Sequence, residues 1–171
     1  MSNTRIKIIT TLLLLIISMI QVKAEEPMLP ECSLSQTSKS SILHFSISNR
    51  GSDIWHLLKW HSPFDAWFSE FIELTQEGRA VLYEGAMAKR GRPDEEDYLT
   101  IEPGGVAEIE LDLREAFQLD SGKYRVALKP LQLLLERGSI TPAPQKVPLN
   151  KAEHYKVFEL HCKDIYIDIK Y

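Results

Sequence analysis

The chain has 171 residues, 44% of them hydrophobic and 26% charged, with 20 Lys and Arg against 24 Asp and Glu. That length suits one domain with a respectable core. The acidic balance argues against a nucleic-acid partner, because neutralising phosphates needs clustered cations.

The N-terminus reads as a targeting signal. Arg5 and Lys7 precede a run from Ile8 to Ile20 that only Thr10, Thr11 and Ser18 interrupt, and Val22-Lys23-Ala24 follows with modest side chains. This is the order of a secretory signal peptide, residues 1–24. The run is about 13 residues, whereas a membrane-spanning helix needs about 20, so no stable membrane span is expected after cleavage. No Cys stands at the cleavage point, which argues against a lipoprotein. Removal of the signal takes away three basic residues and no acidic ones, leaving 17 basic against 24 acidic residues, a net charge of −7. The expected location is periplasmic or secreted.

Two cysteines remain, Cys32 and Cys162, near opposite ends of the mature chain. In an oxidising compartment they are expected to form one disulfide; two buried free thiols are the alternative. A loop of about 130 residues would restrict the unfolded state by about 4–5 kcal/mol on the chain-entropy account. No metal site is expected. No His or Cys lies at ligand spacing from Cys32, and His161 and Cys162, adjacent on a strand, point to opposite faces.

Residues 25–41 are polar and contain proline, so they are read as an extended N-terminal arm. A single domain over 42–171 follows. In Ile42–Ser48, Leu43, Phe45 and Ile47 share an apolar face, the period-two mark of a half-buried strand. Asn49-Arg50-Gly51 is a turn. Ile54–Trp60 is a second strand, broken by Pro63. Phe71–Thr75 and Ala80–Tyr83 flank a hairpin turn with Gly78. Tyr98–Ile101 and Ala107–Leu113 flank Pro103-Gly104 and are expected to form another hairpin. A helical turn at Arg114–Leu119 and a strand at Lys123–Leu128 come next. Leu131–Arg137 is open between a short strand and a helix turn. Residues 138–150, with Pro142, Pro144 and Pro148, form a Pro-rich loop. Val157–Cys162 and Ile165–Ile169 are closing strands. The expected fold is all-β: an immunoglobulin-like antiparallel β-sandwich of about seven or more strands.

One ordered series runs through this region. It comprises Leu58-Lys59-Trp60, Pro63, Phe64, Phe71, Leu74, Gly78, Val81 and Tyr83-Glu84-Gly85. It continues with Lys89-Arg90-Gly91-Arg92-Pro93, Asp97-Tyr98, Thr100, Pro103-Gly104, Leu111-Asp112-Leu113 and Gly122-Lys123-Tyr124. The series resembles the β-rich domain that precedes the catalytic domain in deuterolysin-like, peptidyl-Lys-type zinc endopeptidases. The resemblance covers about residues 42–128. The family's protease domain carries His-Glu-x-x-His on a helix, and none of His44, His56, His61, His154 and His161 begins such a motif. Proteolytic activity and zinc ligands therefore do not carry over.

The expected function is that of an exported, non-enzymatic binding protein without a cofactor. Its partner is expected to be a protein, a secreted or periplasmic protease that it inhibits or helps to fold; the alternative is an envelope adhesion or assembly module that pairs through a sheet edge. The candidate contact residues are Lys89, Arg90, Gly91, Arg92 and Pro93, with Trp67 and Phe68. The basic segment is either an exposed loop offered to a partner or a tight connection whose Lys89 or Arg90 pairs with the acidic run Asp94–Asp97. Trp67 and Phe68 are either a binding hot spot or buried under the sandwich rim, and Trp60 is expected in the core. Carboxylate pairs such as Glu95 and Glu96 read as solvated surface.

Overall fold

The computed structural model describes residues 27–136 and 155–170. The expected signal peptide (1–24) and the expected Pro-rich loop (138–150) lie outside the described residues. Among the described residues eleven strands form three antiparallel sheets. They are β1 (Glu31–Gln36), β2 (Ile42–Ser48), β3 (Trp55–Leu58), β4 (Ile72–Gln76), β5 (Arg79–Ala80), β6 (Tyr98–Ile101), β7 (Val106–Asp112), β8 (Gly122–Leu128), β9 (Leu131–Glu136), β10 (Tyr155–Leu160) and β11 (Ile165–Ile169). Residues 131–137, left open by their periodicity, are thus strand up to Glu136. The helical turn expected near residue 114 is a short 3₁₀ turn, Leu113–Glu115.

The sheets are ordered β1-β2-β7, β10-β9-β3-β6 and β11-β8-β4-β5. In β2 the apolar face is completely buried at Leu43, Phe45 and Ile47, and the other face is half-exposed. Strand β3 lies between β9 and β6, and all four of its residues are buried. One core gathers side chains from all three sheets, including Phe45, Trp55, Phe71, Leu111, Val126 and Leu133. Each such side chain stabilises the fold by about 1.5–3 kcal/mol. Trp55 is a core tryptophan, fully buried. Trp60, expected there, is only half-buried, because its indole N–H is drawn out to the Asp97 carboxylate at 2.8 Å.

The arm is bound into the fold. Its residues Glu31–Gln36 pair with β2, with Cys32 opposite Ile47. The Cys32–Cys162 disulfide is formed, with its Cα atoms 5.5 Å apart. Such a bond matches an oxidising compartment. The Gln36 carboxamide then completes the join: its Nε2 donates to the Asp168 carbonyl at 3.0 Å, and the Asp168 N–H donates to its Oε1 at 3.2 Å. A side chain thus stands in for a strand neighbour between β1 and β11.

The hairpin expected at Pro103-Gly104 is not formed. β6 pairs with β3, and β7 pairs with β2, so the turn carries the chain from one sheet to another. The link from β2 to β3 makes the reverse crossing, and Asn49 fastens the two together. Its backbone bonds the N–H of Gly104 (2.8 Å) and the carbonyl of Gly105 (2.9 Å). Its Nδ2 donates to the carbonyls of Asp53 (2.7 Å) and Ile101 (3.0 Å). Gly104 holds φ +75°, a conformation that favours glycine. The hairpin at Gly78 does form: Gln76 pairs with Arg79, and Glu77 and Gly78 both have positive φ, the pattern of a type I′ turn.

Candidate functional site

The candidate residues lie on two irregular segments, 61–70 and 81–97, that meet beside β4 and β5. Pro63 ends the strand pattern and opens a 3₁₀ turn, Pro63–Asp65, whose N-cap Ser62 accepts from the Phe64 N–H at 3.2 Å. The turn ends in two consecutive left-handed residues, Ala66 (φ 50°) and Trp67 (φ 62°). Packing holds this uncommon conformation. Trp67 is 5% exposed, stacked on Phe71 at 4.7 Å and edge-on to Phe117 at 5.9 Å. The reversal sends the next side chain outward, and Phe68 is 52% exposed. Of the two aromatic candidates, one is therefore core and one is surface.

After β5 the chain leaves the sheet. Tyr83 anchors it: its one hydroxyl hydrogen is shared between the carbonyls of Trp67 (2.7 Å) and Ala86 (3.1 Å). Burial raises the pKa of this phenol above its usual value, and the carboxylates of Asp65 and Glu70 add to the effect. Gly85 is required here, because a Cβ at that position would lie 2.3 Å from the Tyr83 hydroxyl. The Ala88 N–H then bonds the Phe68 carbonyl at 2.9 Å, tying the two segments together.

The basic segment follows. Lys89, Arg90, Gly91 and Arg92 are exposed as whole residues, and Pro93 is half-buried. The Arg90 side chain turns inward and is only 28% exposed. Its Nη2 bonds the buried carboxylate of Asp65, and its guanidinium lies over the Trp60 ring, 5.3 Å from the centroid. Asp65 also accepts from the Ser69 hydroxyl (2.5 Å) and the His61 N–H (3.2 Å). The acidic run does not serve Arg90 as a partner. Instead it closes on itself: Asp94 accepts from the Glu96 N–H (3.0 Å) and Asp97 accepts from the Asp94 N–H (2.9 Å). Lys89 and Arg92 stay on the surface.

The sequence did not single out the apolar groove beside this loop. It is lined by Glu70, Ala80, Val81, Leu82, Tyr83 and Met87, encloses about 460 Å³ and is open to solvent. Leu82 is 75% exposed and Met87 70%. With Phe68 they put three large apolar side chains on the two segments that the Ala88–Phe68 bond joins. Glu70 is the groove's charged residue, and Lys129 pairs with it at 2.7 Å. Only an acid in an otherwise apolar stretch, Pro63-Phe64-Asp65-Ala66-Trp67, hinted at the Arg90 anchor.

The histidines stay apart. The His56 ring is 3.1 Å from the Thr100 hydroxyl and packs edge-on to Tyr155; His44 approaches Glu108 and His161 approaches Glu159, each at 3.9 Å. His154 lies outside the described residues. Among the described residues no group of three or more His, Cys, Asp and Glu side chains is placed to hold a metal, and no helix is long and apolar enough to cross a membrane. No protein-family model and no curated protein matches the chain.

Proposed function

We propose that the chain is an exported, non-enzymatic binding protein whose partner is a protease, which it inhibits or helps to fold in the periplasm or outside the cell. One observation carries the reading: Leu82 and Met87 stand exposed in the lining of an open groove, with exposed Phe68 on the segment bonded to theirs, next to a basic loop whose one inward cation leaves two outward. Exposed apolar side chains grouped on structured loops mark protein-binding surfaces. The rigid sandwich beneath them lowers the entropy cost of docking. The choice of a protease rests on the resemblance to a domain that accompanies one. Arg90 serves in this reading as a brace, and contact falls to Phe68, Leu82, Met87, Lys89 and Arg92.

The test is to titrate the mature protein into a co-secreted deuterolysin-like endopeptidase and follow binding and substrate turnover. Wild type is expected to form a complex and change turnover, and Leu82→Asp with Met87→Asp to weaken both at least tenfold. Absence of any complex overturns the reading. A second reading, an adhesion or assembly module that pairs through a sheet edge, draws on Val157, 55% exposed on edge strand β10. It predicts binding that the groove variants leave intact.

A further inference from the structure

The loop distinguishes its three cations, and the distinction points to one peptide bond. We infer that Lys89–Arg90 is the bond this protein offers to a lysine-directed endopeptidase, and that the chain stays assembled when that bond is cut. The inference deepens the protease reading and rests on it for its biological setting.

An endopeptidase needs an accessible side chain for its specificity pocket and a backbone free to lie extended in its cleft. Exposed loop tips with few backbone bonds supply both. Among the described residues no backbone hydrogen bond holds Lys89 to Pro93. Arg90 cannot fill a pocket without leaving Asp65 and Trp60. Arg92 precedes Pro93, whose ring nitrogen carries no N–H and makes the bond a tertiary amide, a poor substrate for such enzymes. Lys89 has neither restraint. Among the described residues Lys39, Lys123 and Lys156 sit on bonded backbone, and Lys163, exposed on the short link from β10 to β11, directly follows the disulfide-held Cys162. The Lys39 N–H and carbonyl are both held by the Thr37 hydroxyl, and the carbonyl also accepts from Ile42. Lys123 and Lys156 lie within strand ladders.

The loop is also braced on both sides of the bond. Ala88 is fixed to Phe68 upstream, and Arg90 is fixed to Asp65 and Trp60 downstream. On hydrolysis the C–N bond breaks, the Lys89 acyl carbon takes the hydroxyl of water and the Arg90 nitrogen takes its proton. The new Arg90 terminus remains tethered by its side chain. The two pieces also stay together. One holds β1 to β5 and the other β6 to β11, and they share the β2–β7, β3–β6, β3–β9 and β4–β8 pairings. The Cys32–Cys162 bond joins them covalently. A cleaved product of this kind keeps its docking face and can remain on the enzyme.

The experiment uses the mature, disulfide-bonded protein with a sub-stoichiometric lysine-specific serine endopeptidase, and in parallel an arginine-specific one. Fragment ends are mapped by mass spectrometry. The reduced, urea-unfolded chain calibrates each enzyme. We expect an early fragment pair ending at Lys89 and starting at Arg90, seen as one band without reductant and two with it. The Arg90–Gly91 bond is expected to be cut at least tenfold more slowly than Lys89–Arg90, relative to the unfolded chain. Lys89→Gln removes the pair and keeps the β-sheet circular dichroism. A digest that cuts other lysines but never Lys89, or that cuts Arg90–Gly91 as fast, overturns the inference. Cutting at Lys89 in a protein that forms no endopeptidase complex sinks the partner reading and leaves this one standing.

Discussion

Arg90 is bonded to the carboxylate of Asp65 across 25 residues of chain, and this bond decides which side of the basic loop meets solvent. Asp65 is 7% exposed, so its charge depends on compensation. Arg90→Ala strips the cation and leaves the acid with the Ser69 hydroxyl and the His61 N–H. The expected loss is about 2–3 kcal/mol, below the full cost of breaking a buried pair because Arg90 is partly solvated. Urea unfolding of Arg90→Ala, Asp65→Asn and the double variant measures it. Strong coupling between the two sites is expected, and strict additivity would show that they do not act as a pair.

Asn49 is 1% exposed and fastens the two crossings between sheets. Asn49→Ala removes the Nδ2 bonds to Asp53 and Ile101 and the Oδ1 acceptor of the Gly51 N–H, and it takes the Asn49 donor from the buried Ile101 carbonyl. The expected loss is about 2–4 kcal/mol. Hydrogen exchange should quicken in β6 and β7 together. A local effect confined to residues 49–53 would refute the clamp.

Gly85→Ala places a methyl group against the Tyr83 hydroxyl and forces the ring away from the Trp67 carbonyl. A destabilisation of about 1–3 kcal/mol is expected, in the range of overpacking. Tyr83→Phe, which removes the hydroxyl, should reduce that penalty when combined with it. The raised Tyr83 pKa gives an optical check: the phenol should titrate above the usual tyrosine pH in wild type and nearer to it in Gly85→Ala.

Asp112 has its pKa lowered to about 2, chiefly by the side-chain bonds from Arg114. A carboxylate with a depressed folded pKa stabilises the fold above its unfolded value near 4, and that contribution disappears as pH falls towards 2. Arg114 is largely exposed, so solvent screening reduces the effect to about 1 kcal/mol. Stability measured from pH 5 to pH 2 should fall less steeply in Arg114→Gln. An unchanged slope would contradict the assignment.

The sequence made some elements legible and hid others for physical reasons. Strand β2 was plain because one face is buried and the other is not, which enforces alternation. The Gly78 turn was plain because its conformation is local. Strand β9 was ambiguous because a short apolar run reads alike as strand or helix. The Pro103-Gly104 turn joins two sheets and not one hairpin because turn chemistry specifies a reversal and not the partners of the strands it joins; Asn49, 55 positions away from Gly104, fixes those partners. The basic loop was found by its residue types. That Arg90 faces inward depends on Asp65, and that Leu82 and Met87 face outward depends on where β5 leaves its sheet. Neither has a period in sequence.

We propose that the groove and the Lys89 loop form one docking face for a protease. Hydrogen exchange of the mature protein, alone and with the endopeptidase, tests it most directly. Protection is expected to concentrate at residues 68–70 and 80–92, with β10 unchanged. Protection along β10 with none around the groove would contradict it.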